Sequence, residues 1–204
     1  MDTFKELLEV AQRLNGPDGC PWDVKQTFES LAQYVLEEAH EVVDAVYNSD
    51  DEHILEELGD LFYTVIFYGK VAERQGRFTI DQIIEQLKNK LIRRHPHVFG
   101  DIKLEHDDDV VIHWERIKSQ EKQKREVKNL FDDIPKDLPI LMRASKVIKR
   151  LRKHHPEFLP SETTKDMGEQ FLQLVEEAQE AGIDPESAVR EALARYEKMP
   201  KGSA

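Results

Sequence analysis

The amino-acid sequence predicts an all-α fold, a four- to five-helix bundle followed by a truncated, diverged helical repeat. Short polar connections between the apolar segments favour antiparallel neighbours, as in a helix bundle. No segment has the strict apolar–polar alternation of a strand. Apolar residues instead recur three and four positions apart, as on one face of a helix. They do so in two successive stripes, at Leu31, Val35, Val42 and Val46, and at Ile54, Leu58, Leu61 and Val65.

The predicted helices have recognisable starts and stops. Asp2 or Thr3 caps the first, and the turn-rich segment 15–19 ends it. Thr79 caps the fourth, and Pro96 ends it because proline has no backbone N–H to donate. The predicted helices cover residues 3–14, 28–47, 51–76, 80–95, 111–124 and 140–153, and further helical segments lie in the tail.

Composition excludes several classes of protein. The 204 residues carry a formal net charge of −12, whereas a protein that binds a nucleic-acid polymer is normally basic. The single cysteine, Cys20, cannot build a disulfide framework and fits a reducing cytoplasm. The sequence begins without a signal peptide and has no apolar run of about 20 residues. We therefore expect a cytoplasmic protein without a membrane or nucleic-acid polymer as partner.

Acidic residues interrupt the apolar stripes of two predicted helices. Glu37, Glu38 and Glu41 lie on overlapping faces of the second helix, and Glu57 and Asp60 lie three apart on the third. An acid on a buried face is costly unless it is paired, and a divalent cation such as Mg²⁺ prefers oxygen ligands. Periodicity leaves two interpretations open, which are a metal site and a pair of solvated acidic faces.

A di-iron carboxylate site is one chemistry that suits facing glutamate-bearing helices. It needs a Glu-x-x-His motif on two helices. Residues 37–40 provide one such motif, and the nearest imitation, residues 50–53, lies in a predicted turn. The ligand count therefore disfavours iron.

Mg²⁺-assisted phosphoryl chemistry is the second possibility. It needs oxygen ligands, a water molecule to activate and cations for the phosphates. Lys90, Arg93 and Arg94 end the fourth helix and could supply these cations, although the helix dipole also favours basic residues there. Trp22 and Trp114 could stack a nucleobase. No Gly-rich P-loop is present, which excludes an ordinary P-loop NTPase.

The tail repeats parts of the first half. Residues 175–181 resemble residues 36–42, and residues 188–198 align with residues 83–93. The two offsets, 139 and 105 residues, differ by 34, about the length of the third helix with its turns. We infer that the second copy has lost the helix that carries Glu57 and Asp60. The predicted organisation is a domain at 1–125, a linker at 126–139 and a degenerate second region at 140–204.

The ordered motifs resemble the MazG family within the all-α nucleoside triphosphate pyrophosphohydrolases. The acids fit its EExxE…ExxD pattern. Five motifs look like its N-terminal domain: Gly-Cys-Pro-Trp-Asp at 19–23, Leu-Glu-Glu-Ala at 36–39, Glu-Glu-Leu-Gly-Asp at 56–60, Arg-Arg-His-Pro-His-Val-Phe at 93–99 and Trp-Glu-x-Ile-Lys at 114–118. Segments 130–135 and 141–144 look like the opening of its second domain.

This resemblance implies an activity and roles for the residues that match. The expected reaction is Mg²⁺-dependent hydrolysis of nucleoside triphosphates to monophosphate and pyrophosphate, by attack of activated water at the α-phosphorus in a homodimer; Mn²⁺ is the alternative ion. The implied metal ligands are Glu38, Glu41, Glu57 and Asp60, with Glu37 orienting or deprotonating the water. The implied substrate contacts are Lys90, Arg94, Trp114, Lys118 and Trp22, and Arg93 is added to them from its place at the basic end of the fourth helix.

The second half departs from the family pattern. Members often carry a second full acidic set there, but this chain has only Glu176, Glu177 and Glu180, without an ExxD motif. Activity is therefore expected from the first set. The alternative is a non-catalytic helical protein that senses nucleotides or binds a partner.

Overall fold

A computed structural model describes the chain except for residues 1–2, 49, 103–105, 107–108, 111, 115, 118–120, 122–128, 161–164 and 198–204. All regular secondary structure in the described residues is helical, which confirms the predicted fold class. The chain divides into two compact units, Met1–Trp114 and Glu115–Ala204. Among the described residues, no helix combines the length and hydropathy that crossing a membrane requires.

The first unit is built around two long helices that follow each other directly. Its helices are α1 (Thr3–Leu14), α2 (Phe28–Asn48), α3 (Asp51–Arg74), α4 (Ile80–Arg94) and α5 (Pro96–Phe99), with a 3₁₀ turn at Asp23–Lys25. The Tyr68 hydroxyl of α3 donates to the Phe28 carbonyl of α2 at 3.1 Å. Tyr68 lies near the C-terminal end of α3, and Phe28 is the first residue of α2. The two helices therefore run antiparallel.

Local signals set the ends of these helices. Asp50 caps α3 by accepting a hydrogen bond from the His53 N–H at 3.2 Å. Gly76, at a φ of 65°, follows α3 in the left-handed conformation that ends many helices. Thr79 and Gln82 form a capping box on α4. Pro96 does end α4, and it also opens α5, because its fixed φ suits the first position of a helix.

The core of the first unit lies on a different face of α3 from the stripe predicted for it. Ile66, Phe67 and Val71 are buried, whereas Leu58 and Val65 are 49% and 42% exposed. The prediction failed here because α3 is apolar on more than one face, so periodicity alone does not say which face meets α1 and α2. In α2, Leu31 is buried as expected, whereas Val46 is exposed.

Where it is described, the second unit contains three longer helices, α6 (Ile140–His154), α7 (Met167–Glu180) and α8 (Pro185–Glu197). Ala144 and Ile148 of α6 pack with Val175 of α7 to form its core. Only residues 181–184 separate α7 from α8. The acidic helix α7 and its successor α8 are therefore adjacent in the chain, and their origin as a diverged repeat stays a prediction.

The segment predicted as a linker is anchored to α6 where it is described. Arg150 bonds the carbonyl of Leu130 and the carboxylate of Asp133, and Ile134 is 5% exposed. Helical residues at 109–110, 112–114, 116–117 and 121 fall within or beside the predicted fifth helix, whose other residues lie outside the described part. The boundaries at 125/126 and 139/140 stay predictions.

Candidate active site

Three of the predicted acidic residues meet between α2 and α3. Glu38, Glu41 and Glu57 each place a carboxylate oxygen within 4.8 Å of the others. Glu57 is buried, Glu38 is partly buried and Glu41 is exposed, so the group opens from the helix contact towards solvent. Antiparallel packing creates this arrangement because it sets Glu41 opposite Glu57, with Glu38 one turn away.

The acids perturb one another electrostatically. Desolvation raises the pKa of Glu38, and the charges of Asp60, Glu41, Glu57 and Glu37 add to the effect. The pKa of Glu41 is also raised by desolvation, by the charges of Glu57 and Glu37 and by hydrogen bonding with Glu57. Every added negative charge therefore opposes ionisation of its neighbours. A cation would reverse this penalty, so the oxygen-only donor set fits a hard divalent ion.

His53 is a part of the site that sequence reasoning placed in a turn. It lies in the first turn of α3, and its Nε2 is 2.7 Å from Glu57 Oε1. The signal that could have found it is the four-residue spacing from His53 to Glu57, which puts both on one helix face. His53 holds the buried carboxylate that faces the other two glutamates.

An aromatic cavity of about 130 Å³ adjoins the acids. Glu38 and Asp60 line it on the acidic side. The Trp22 ring contacts Tyr34 edge-on at a centroid distance of 5.6 Å and lies 6.2 Å from Phe67. The remaining lining residues are Leu31, Tyr63 and Thr64. Trp22, Glu38 and Asp60, which sequence analysis singled out separately, thus share one cavity.

The sequence motifs did not reveal the other aromatic walls of this cavity. Tyr34 precedes Glu38 by one helical turn, and Phe67 follows Asp60 by two turns. Helical spacing from the acids could have identified them, since residues four or seven apart share a face. Burial raises the pKa of the Tyr63 hydroxyl, and Asp23 nearby adds to this, so the hydroxyl stays neutral at physiological pH.

The predicted basic residues lie at the end of α4. Lys90 and Arg94 are partly buried, and Arg93 is exposed. The Arg94 guanidinium lies 5.6 Å from the centroid of the Trp114 ring, a cation–π contact that brings two predicted substrate residues together. Lys118 lies outside the described residues.

In the second unit, an arginine of α6 contacts the glutamates of α7. Arg152 of α6 lies 3.5 Å from Glu176 Oε1 and 3.9 Å from Glu180 Oε1 of α7. It also donates to the Glu176 carbonyl at 3.4 Å. A guanidinium therefore sits beside the acids at the position in α7 that corresponds to the acidic motif of α2.

Comparison with known proteins identifies the family to which this chain belongs. Residues 26–99 match the MazG nucleotide pyrophosphohydrolase domain. A Thermotoga maritima protein named nucleoside triphosphate pyrophosphohydrolase/pyrophosphatase MazG is 34% identical over 221 aligned positions, which cover 96% of this chain and 85% of that protein. The chain belongs to the MazG family. The matched domain includes every acidic residue of the candidate site and the basic end of α4, but neither Trp22 nor Trp114.

Two other relatives are longer than this chain. The Escherichia coli K12 nucleoside triphosphate pyrophosphohydrolase is 45% identical over 151 residues, or 74% of this chain and 57% of that protein. The Bacillus subtilis protein YabN is 44% identical over 146 residues, or 72% of this chain and 30% of that protein. The chain thus spans about a third to a little over half the length of these two relatives.

Proposed function

We propose that this chain hydrolyses nucleoside triphosphates to the monophosphate and pyrophosphate with a divalent cation. The observation that carries the proposal is the meeting of three glutamate carboxylates within 4.8 Å beside an aromatic cavity. An oxygen-only ligand set suits Mg²⁺, with Mn²⁺ as the alternative. His53 binds Glu57 beside this group, and the chain lacks the second Glu-x-x-His motif that a di-iron site needs. The names of the Escherichia coli and Thermotoga maritima relatives support the same reaction.

The acidic residues are proposed to share the catalytic work. Glu38, Glu41, Glu57 and Asp60 would hold the ion, which when bound would offset phosphate charge and lower the pKa of a water molecule. Glu37, exposed and next to Glu38 on α2, orients the attacking water and accepts its proton. The water oxygen bonds to the α-phosphorus as the bond from that phosphorus to the α–β bridging oxygen breaks, and pyrophosphate leaves.

The remaining residues are proposed to hold the two ends of the substrate. Trp22 stacks the nucleobase in the aromatic cavity, since any base offers a π face to such a ring. Lys90, Arg93 and Arg94 stabilise the charge that develops on the leaving pyrophosphate. Trp114 packs against Arg94 and orients it. Lys118, four positions later in the sequence, is kept as a substrate contact from the family pattern.

A homodimer is part of this proposal. Several apolar side chains of α2 and α3 are about half exposed or more, although they lie beside the acidic group: Leu36, Val46, Leu55, Leu58 and Phe62. Covering such a face with a second copy would remove apolar area from water and desolvate the acids further. Sedimentation equilibrium tests this, and Leu58→Glu should shift a dimer towards monomer.

The deciding experiment is hydrolysis by the full chain. A panel of NTPs and dNTPs is incubated with Mg²⁺, Mn²⁺ or EDTA, and nucleotide and pyrophosphate products are quantified separately. We expect monophosphate and pyrophosphate in equal amounts, no activity in EDTA, and a loss of at least about 100-fold in Glu57→Gln. Glu56→Gln, an exposed neighbour, is the matched control. Release of inorganic phosphate would contradict the proposal, and nucleotide binding without turnover would identify a nucleotide sensor instead.

A further inference from the structure

The loop that carries Trp22 is tied to the far end of α3 by one side chain. Arg74 Nη1 donates to Asn15 Oδ1 at 2.8 Å and to the Asp23 carbonyl at 3.3 Å. Arg74 Nη2 donates to the Gln26 carbonyl at 2.8 Å. Acceptors at the start, middle and end of the loop are thus joined by a single guanidinium. Its planar fork fixes the directions of several donors at once, which a lysine ammonium does not do.

This attachment point is remote from the acidic group. Arg74 follows Asp60 by fourteen residues on the same helix, which corresponds to about 21 Å along the axis. The Trp22 ring meets α3 between them, 6.2 Å from the Phe67 ring. Arg74 therefore has no direct part in holding an ion or a phosphate at the acids, and its influence passes through the loop.

Packing of the ring restrains only part of Trp22. Trp22 is 48% exposed, so about half of its surface makes no contact that would fix its orientation. The next residue, Asp23, is 8% exposed, and its carbonyl is one of the atoms that Arg74 binds. The Trp22 carbonyl accepts from Gln26 Nε2 at 3.0 Å, and the Gln26 carbonyl is another Arg74 acceptor. The backbone on both sides of Trp22 is thus linked to Arg74.

We propose that Arg74 is a positioning residue that sets affinity for the nucleobase by holding Trp22 in the cavity beside Glu38 and Asp60. The placement of Trp22 follows from the structure, whereas the effect on the nucleobase rests on the proposed function. Without Arg74, the loop loses three hydrogen bonds and the ring leaves the cavity more often. The acids and the basic end of α4 keep their positions.

The first test measures the solvent exposure of the Trp22 ring, without nucleotide or metal. Trp114→Phe leaves Trp22 as the single tryptophan of the chain. Acrylamide quenching is then compared with and without Arg74→Ala. A ring that moves from 48% to nearly complete exposure should raise the quenching constant about twofold. Arg74→Lys should give a smaller rise, and Lys5→Ala, which removes an exposed charge on α1, should give none.

The second test separates the nucleobase from the phosphates in chains that keep Trp114. Arg74→Ala should raise the KM for nucleoside triphosphates roughly 5- to 10-fold, the effect of weakening one base–aromatic stack, with kcat changed less than about twofold. Inorganic triphosphate has no base, so its inhibition constant with Mg²⁺ should not change. A general distortion of the site would instead weaken both ligands together.

Unchanged quenching in Arg74→Ala overturns the proposal, as does an equal loss of affinity for inorganic triphosphate. If Arg74→Ala fails to fold by circular dichroism, Arg74→Lys undergoes the same measurements, and unchanged quenching there also overturns it. If the wild-type chain releases no pyrophosphate, the proposed function fails. The quenching result then still decides whether Arg74 places Trp22, with a rise supporting that role and no rise overturning it.

Discussion

Replacing Glu38 with glutamine should change stability in opposite directions in the absence and presence of a divalent cation. In the native chain, desolvation raises the pKa of Glu38, and repulsion from Asp60, Glu41 and Glu57 raises it further. Without the ion, the substitution removes this repulsion. At the 4.8 Å limit, the Glu38–Glu57 repulsion is about 1 kcal/mol in bulk water and about 3.5 kcal/mol at an effective dielectric constant of 20.

The lower of these figures applies because Glu38 is only partly buried and solvent screens exposed charges. We therefore expect metal-free Glu38→Gln to be more stable than the wild type by about 1 kcal/mol, or about 4 °C in Tm for a unit of this size. With Mg²⁺ at 100 times its Kd, the wild type should gain about 2.7 kcal/mol. Glu38→Gln lacks one ligand and should gain much less, so the order of stabilities reverses.

The assay is thermal unfolding followed by circular dichroism, with EDTA and across a Mg²⁺ titration. Glu56→Gln controls for the loss of one charge, because Glu56 is exposed on α3 and is not in the three-glutamate group. Equal Mg²⁺-induced shifts in wild type and Glu38→Gln would refute the assignment of the ion to this group. A metal-free Glu38→Gln that is less stable than the wild type would refute the repulsion.

Three further outcomes are expected. Asp60→Asn should abolish pyrophosphate release while circular dichroism shows unchanged helix content, and full activity would remove Asp60 from the ligand set. Metal-free stability should fall as pH rises from about 4.3 through the raised pKa of Glu38, because the native state binds the extra proton in that range. Melting curves across this pH range give the stability of the wild type minus that of Glu38→Gln, which isolates the contribution of Glu38. This stability difference should fall as pH rises, and an increase would contradict the prediction. Lys90→Ala should lower kcat/KM about 100-fold, measured by pyrophosphate release with the exposed Lys88→Ala as control, and equal rates in both variants would exclude Lys90 from the leaving-group site.

Helix positions and the acidic motif could be predicted because they depend on short-range physics. Caps such as Thr79 and the three- and four-residue periodicities act within one or two turns, so they place α1 to α4 within a few residues. The same spacing puts Glu38 and Glu41 on one face of α2, and Glu57 and Asp60 on one face of α3. Motif order also indicated the MazG family before any packing was known.

Only the tertiary structure decided which of these faces meet. Antiparallel pairing of α2 and α3 brings Glu41 to Glu57 and Glu38 to the cavity that Asp60 also lines, and no local pattern specifies that register. The same packing leaves Leu58 and Val65 at the surface of the chain. Periodicity could not predict this, because α3 is apolar on several faces and the pattern does not favour one of them. The link from Arg74 to Asn15 joins residues 59 positions apart. Such contacts depend on how whole helices pack. The acidic residues and Trp22 can therefore be identified from the sequence, whereas only the packing of the helices brings them together.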